Sequence, residues 1–146
     1  MTTKPYYNED PEIVEIGVDE VGRGPLFGRV YVAATILPKY SDTFKYELMK
    51  DSKKFSSSKK LYDVYNYILE NATDYVVKYE TEESIDQMNI LQATQKAMHD
   101  CVQELIDKNN LLPEKTLLLI DGNYFRDHMT WNKERNNFEC YAHECI

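Results

Sequence analysis

The side chains best placed to do chemistry in this 146-residue chain are acids at the ends of apolar segments. Residues 13–18 run into Asp19-Glu20, and residues 117–120 run into Asp121-Gly122-Asn123. A carboxylate at the end of a buried strand is costly unless it is paired, hydrogen-bonded or bound to a cation. If the two segments lie side by side, Asp19, Glu20 and Asp121 converge, and a divalent cation relieves their repulsion. Oxygen ligands without a matching His/Cys set favour Mg2+ or Mn2+ over Zn2+. Asp is also a common turn former and helix cap at strand ends, and spacing leaves both readings open.

Two further segments can touch a ligand. Four of the five glycines fall between positions 17 and 28, so Gly22-Arg23-Gly24 exposes backbone groups that can approach a sugar or phosphate, with Arg23 adding charge. This segment is neither a Walker loop nor a dinucleotide fingerprint, because no Gly-Lys-Ser/Thr and no third glycine follow. The run from Lys50 to Lys60, with Lys53 and Lys54 at its centre, is a basic cluster that can meet phosphates or simply form a solvated helix start. His99, His128 and His143 show no metal-ligand spacing, and His99 reads as structural, near the apolar stripe of a helix.

These residues need a scaffold. Residues 1–11 read as a flexible lead-in and 12–146 as one domain. Residues 13–18, 30–37, 75–79 and 117–120 have the apolar, β-branched character of strands. A helix follows a cap at Ser56, with Leu61, Val64, Tyr65 and Ile68 on one stripe. Ser84-x-x-Gln87 fits a capping box opening a long helix striped by Leu91, Thr94, Met98, Cys101, Val102 and Leu105. Asn109-Asn110 and Pro113 close it. A polar loop containing Trp131 follows Asp121, and a fifth strand is expected at 139–146. Strand-strand-helix-strand-helix-strand predicts an α/β fold whose ligands sit beyond the strand ends.

Composition narrows the partners. Seventeen basic and 25 acidic residues leave a net charge of −8, against a protein held on nucleic acid or lipid by bulk charge. No apolar run reaches the roughly 20 residues of a membrane span. Three cysteines and no apolar leader point to free thiols in a reducing compartment, so a cytoplasmic location is expected.

Four ordered blocks resemble the ribonuclease HII (type 2 ribonuclease H) family. They are Gly17-Val18-Asp19-Glu20-Val21-Gly22-Arg23-Gly24-Pro25-Leu26; Asp51-Ser52-Lys53-Lys54-Phe55-Ser56; the long-helix block from Ile85 through Thr94 with Ala97-Met98; and Leu119-Ile120-Asp121-Gly122-Asn123. The resemblance implies a ribonuclease H-like α/β fold, a mixed sheet of about five strands flanked by helices. It also implies cleavage of the RNA strand of RNA–DNA hybrids, or cleavage 5′ of ribonucleotides embedded in duplex DNA, leaving a 3′-hydroxyl and a 5′-phosphate. By it, Asp19, Glu20 and Asp121 are catalytic and ligate two Mg2+ or Mn2+ ions. Gly22, Arg23 and Gly24 read the ribose 2′-hydroxyl, and Lys53 and Lys54 lie near substrate phosphates. The Gly-Asp and Arg-Asp run carrying the family's fourth acid has no counterpart here, and Asp127 is too close to Asp121 to replace it. The C-terminal part of the domain is therefore expected to be missing and activity impaired. A non-catalytic hybrid-binding module or an inactive fragment is the alternative. A monomer with no membrane partner is expected.

Overall fold

A computed structural model describes residues 6–21, 29–49 and 58–146. The strands are β1 (Val14–Val21), β2 (Val30–Ile36), β3 (Asp74–Glu80), β4 (Thr116–Ile120), β5 (His128–Asn132) and β6 (Asn137–Cys145). The helices are α1 (Ser58–Asn71) and α2 (Glu82–Asn109). The strands form one six-stranded sheet in the order β3-β2-β1-β4-β6-β5. β1 runs antiparallel to β2 and parallel to β4, and β4 is parallel to β6. This is the mixed α/β architecture expected, with one more strand.

Alternation along the strands separates two faces. Ile16 and Val18, Val30, Val32 and Ala34, and Leu118 and Ile120 are buried on the face covered by α2. The α2 stripe opposite them, Ala97, Met98, Cys101, Val102 and Leu105, is nearly sealed from solvent. Leu105 is 0% exposed. Leu105→Ala is therefore expected to cost about 2–5 kcal/mol by lost transfer energy and an unfilled cavity, read as the urea midpoint at constant m-value. Burial pushes the Cys101 thiol up to about 12, so it acts as an apolar side chain with no reactive thiolate. The other face carries Glu15, Gly17 and Asp19 from β1, Tyr31, Ala33 and Thr35 from β2, Tyr75, Val77 and Tyr79 from β3, and Leu117 and Leu119 from β4. Each of these is exposed or half-buried.

Three sequence expectations change in detail. The cap of α2 is Thr81, whose side chain accepts from the Ser84 amide, so the helix starts before the expected capping box. Inside it Asn89 takes φ +69°, and its side chain accepts from the Gln92 amide, re-capping the remaining turns. The loop holding Trp131 contains β5, a hairpin partner of β6 with Trp131 opposite Phe138. Its alternation is weak because only His128 is buried there, so cross-strand pairing with β6 makes this strand. Helix α1 lies against the turn after β2, where the Tyr67 hydroxyl accepts from the Lys45 amide and its ring meets Phe44 at 5.4 Å. The expected cap at Ser56 lies outside the described residues. Residues 7–10 are tied to the body by the Glu15 carboxylate, which accepts from the Tyr7 amide at 3.0 Å, and by Lys39, which donates to the Asp10 carbonyl at 2.7 Å. Among the described residues no helix is long and apolar enough to cross a membrane.

Candidate functional site

The parallel β1–β4 register places Val18 opposite Ile120. The next residues are Asp19 and Asp121, and the ladder continues through the Asp121 amide, which donates to the Val18 carbonyl at 2.9 Å. Asp19, inside β1, and Asp121, the residue just after β4, therefore stand side by side on adjacent strands, with their side chains within hydrogen-bonding reach. The Asp19 carboxyl is pushed up to about 6. Desolvation between the strands is the first cause and the charge of Asp121 the second, opposed by the Glu20 amide donating to Asp19 Oδ1 at 2.7 Å. Asp19 still touches solvent on the open face, so a ligand can reach the pair.

The third acid is placed differently. Glu20 is half-buried and follows Val18 on the α2 side of the sheet, since neighbouring strand residues point to opposite faces. The structure brings Asp19 and Asp121 together, and among the described residues no three His, Cys, Asp or Glu side chains gather as a ready metal cage. The pair itself suits a hard cation: two oxygen donors whose charges oppose each other, open to solvent on one side. Gly22, Arg23, Gly24, Lys53 and Lys54 lie outside the described residues. Asp127 is near His143, 3.7 Å from its Nδ1, and not beside Asp121.

Beyond Asp121 the chain turns through Gly122 at φ +143°, a conformation that disfavours a β-carbon although the space around it is open. The following loop is held by a residue that sequence reasoning missed. Gln95 on α2 is 2% exposed; its Nε2 donates to the Tyr124 carbonyl at 3.2 Å and its Oε1 accepts from the Arg126 amide at 3.0 Å. The signal was available: Gln95 lies four residues after Leu91 and three before Met98, a polar amide on an apolar stripe, which demands a buried partner.

Phe125 stacks on His99 at 4.4 Å, and His99 Nδ1 meets His128 Nδ1 at 2.7 Å. His128 Nε2 lies 2.9 Å from Gln103 Oε1. An amide oxygen only accepts, so His128 carries its proton on Nε2 and accepts from His99 Nδ1–H. With burial lowering the pKa of both rings, this pattern assigns them as neutral tautomers. His99 is pushed down to about 4, first by burial, then by His128 and Arg126, with Asp100 opposing. The unfolded chain, with an ordinary His, takes up a proton near pH 6.5 while the folded one resists until about 4. The stability His99 contributes is therefore present above pH 6.5 and lost as pH falls toward 4. NMR titration of its imidazole is expected to show a midpoint near 4; a midpoint near 6.5 contradicts this packing.

The Ribonuclease HII family profile matches residues 16–136. Ribonuclease HII of Bacteroides thetaiotaomicron is 43% identical over 85% of this chain and 56% of its own length. That of Hydrogenovibrio crunogenus is 44% identical over 74% of this chain and 47% of its own length. The chain thus spans about half the length of the curated relatives it matches. Among solved structures, a glutamine-to-alanine mutant of Bst-RNase HIII superposes with a TM-score of 0.68 at 19% identity, covering 92% of this chain and 45% of that one. Ribonuclease H2 from Pyrococcus horikoshii OT3 superposes at 0.52 with 22% identity, covering 75% and 50%. These similarities show the same fold, and by the sequence match the chain belongs to the ribonuclease HII family.

Proposed function

We propose that this chain carries the acidic centre of a divalent-metal-dependent endonuclease. Its substrate is the RNA strand of an RNA–DNA hybrid, or a duplex DNA at an embedded ribonucleotide, and its products end in a 3′-hydroxyl and a 5′-phosphate. One observation carries the reading: two carboxylates from adjacent parallel strands, Asp19 and Asp121, meet where β4 ends beside β1, with the Asp19 carboxyl pushed up to about 6. A bound cation would offset both causes of that shift, the desolvation and the charge of Asp121. The relatives named Ribonuclease HII and the Bst-RNase HIII solved in complex with Mn2+ favour Mg2+ or Mn2+ as that cation. Asp19 and Asp121 would hold it, with Glu20 in support from the strand's other face. When bound, such ions lower the pKa of an attacking water and stabilise the leaving oxygen of a phosphodiester. The chain's own residues position that chemistry. The strands fix the acid pair, and Gln95 fixes the loop after Asp121. We assign Gly22-Arg23-Gly24 to the ribose 2′-hydroxyl and Lys53 and Lys54 to flanking phosphates.

The sequence supplies three acids of the set the family resemblance implies, so this 146-residue chain by itself is expected to turn over slowly. The test is cleavage of a duplex with one ribonucleotide, and of a hybrid, in Mn2+ and in Mg2+. A 5′-phosphate product formed by the wild type and lost in Asp19→Asn supports the reading. Salt-dependent hybrid binding with no product in either chain supports the binding-module alternative instead.

A further inference from the structure

The open face of the sheet carries a second built cluster beside the acid pair. Asp19 is opposite Ala33 on β2, and Ala33 is opposite Val77 on β3. Two residues further toward the same end stand Tyr31 and Tyr79, opposite each other, with ring centroids 5.6 Å apart. Because side chains alternate, both tyrosines share Asp19's face. Strand spacing puts Tyr31 about 8 Å and Tyr79 about 12 Å from Asp19 between Cα atoms. The Arg29 guanidinium lies over the Tyr79 ring at 5.0 Å and hydrogen-bonds Tyr31.

The state of this arginine differs from that of the lysines along the sheet. Lys39, on the same face, is tied to Glu15; Lys78, Lys96 and Lys108 are paired with Glu104, Glu80 and Asp74 on the α2 side or at the sheet edge. Arg29 makes no such ion pair among the described residues. Its neighbours are two phenols, with Glu82 a weaker influence, and it is fully open to solvent. A guanidinium can only donate, so Tyr31 Oη accepts from it and keeps its own O–H free for an acceptor on the same side. Stacking and the phenol bond hold the planar fork in place, so less side-chain freedom is lost when it engages an anion.

We propose that Arg29, Tyr31 and Tyr79 form a backbone-binding patch that grips a phosphate of the nucleic acid flanking the position held at Asp19. Arg29 supplies the charge, Tyr31 a hydroxyl donor, and Tyr79 the ring that keeps Arg29 in place. Each strand of a duplex carries a phosphate per about 3.4 Å of axis, so an offset of about 8–12 Å lies within a few phosphates of the reacting one. The inference rests on the proposed substrate class and adds a contact to it.

The test is binding of a labelled RNA–DNA hybrid to the whole chain in EDTA, across a salt series, with cleavage followed separately in Mn2+. Arg29→Gln is expected to weaken binding about tenfold and to lower the slope of log K against log salt by about one. Arg29→Lys keeps the charge but loses the fork and stack, so its slope stays near wild type while affinity falls. Tyr79→Leu, which leaves the charge unbraced, is expected to weaken binding about threefold. Arg29 is exposed, and an unchanged thermal midpoint in Arg29→Gln shows that folding is not the cause. If the wild type binds and cleaves while Arg29→Gln matches it in affinity and slope, the patch is wrong and the nuclease reading stands. If the wild type neither binds nor cleaves, both fall.

Discussion

Asp19→Asn is expected to abolish Mn2+-dependent cleavage and to raise the thermal stability of the metal-free chain at pH 8. The two effects have one origin. Without a cation, desolvation between the strands and then the charge of Asp121 make the Asp19 carboxyl hold its proton to about pH 6. The same group in the unfolded chain ionises near 3.8. Between those values the folded state binds the extra proton, so the contribution is stabilising below the window and is lost as pH rises through 6. At pH 8 the Asp19 carboxylate is charged while partly desolvated and close to Asp121. Asp19 keeps solvent contact, so screening reduces the cost to about 1 kcal/mol, or roughly 2–4 °C in midpoint for a chain of this size. Asparagine keeps the shape and removes the repulsion. Addition of Mn2+ is expected to raise the wild-type midpoint by ligand linkage and to leave Asp19→Asn nearly unmoved. Cleavage is expected to fall by a factor of about 100 or more. Scanning fluorimetry with EDTA or Mn2+ and a gel assay are sufficient. A variant that is less stable in EDTA, or one that still responds to Mn2+, contradicts a cation site on this pair.

Acidification sets this effect against the histidine stack. Between pH 6.5 and 4, His99 withdraws stability as it resists its proton, while Asp19 returns some of it. Asp19→Asn removes the second contribution only. Its midpoint is expected to fall more steeply than that of the wild type over this range.

Where the sequence could be read, a residue's environment was set by its immediate neighbours along the chain. Asp19 and Asp121 each close an apolar run of the sequence, and that contrast marks an acid at a strand end before any pairing is known; Asp121 does follow β4 directly, whereas pairing with β2 carries β1 on through Val21, so Asp19 lies inside its strand. The pairing makes them a site, and it came from the family resemblance and from the parallel register of β1 and β4. Glu20 is adjacent in sequence, but strand alternation turns it toward the α2 side, so its part in the site rests on the family resemblance and not on the register. β5 was hidden because its residues are mixed in polarity and its hydrogen bonds come from β6, nine residues away between His128 and Asn137 at their starts. Arg29, Tyr31 and Tyr79 are separated by fifty residues of chain and become one cluster only through the β2–β3 register.

Gln95→Leu is expected to cost about 2–4 kcal/mol and to slow cleavage without removing any acid. Leucine fills nearly the same space, so the loss is not a cavity. It leaves the Tyr124 carbonyl and the Arg126 amide without the partners that Gln95 gives them at 3.2 and 3.0 Å. An orphaned buried backbone group costs roughly 1–3 kcal/mol, and some return comes from the added apolar surface. The loop so loosened starts at Asp121, whose backbone is pinned to β1 by a single amide bond to Val18 and is followed by Gly122 at positive φ. A loop free to sample other conformations holds Asp121 beside Asp19 for less of the time, so Gln95 is a positioning residue for the pair. Two readouts separate this from general destabilisation. Hydrogen exchange at the Arg126 amide is expected to accelerate in Gln95→Leu under conditions where β1 and β2 amides remain protected. Gln95→Glu keeps an acceptor for Arg126 but loses the donor to Tyr124 when ionised and regains it when protonated, so its stability is expected to rise as pH falls, a dependence Gln95→Leu lacks. A leucine variant within about 0.5 kcal/mol of wild type, with Arg126 exchange unchanged, contradicts the clamp and returns Gln95 to an ordinary core position.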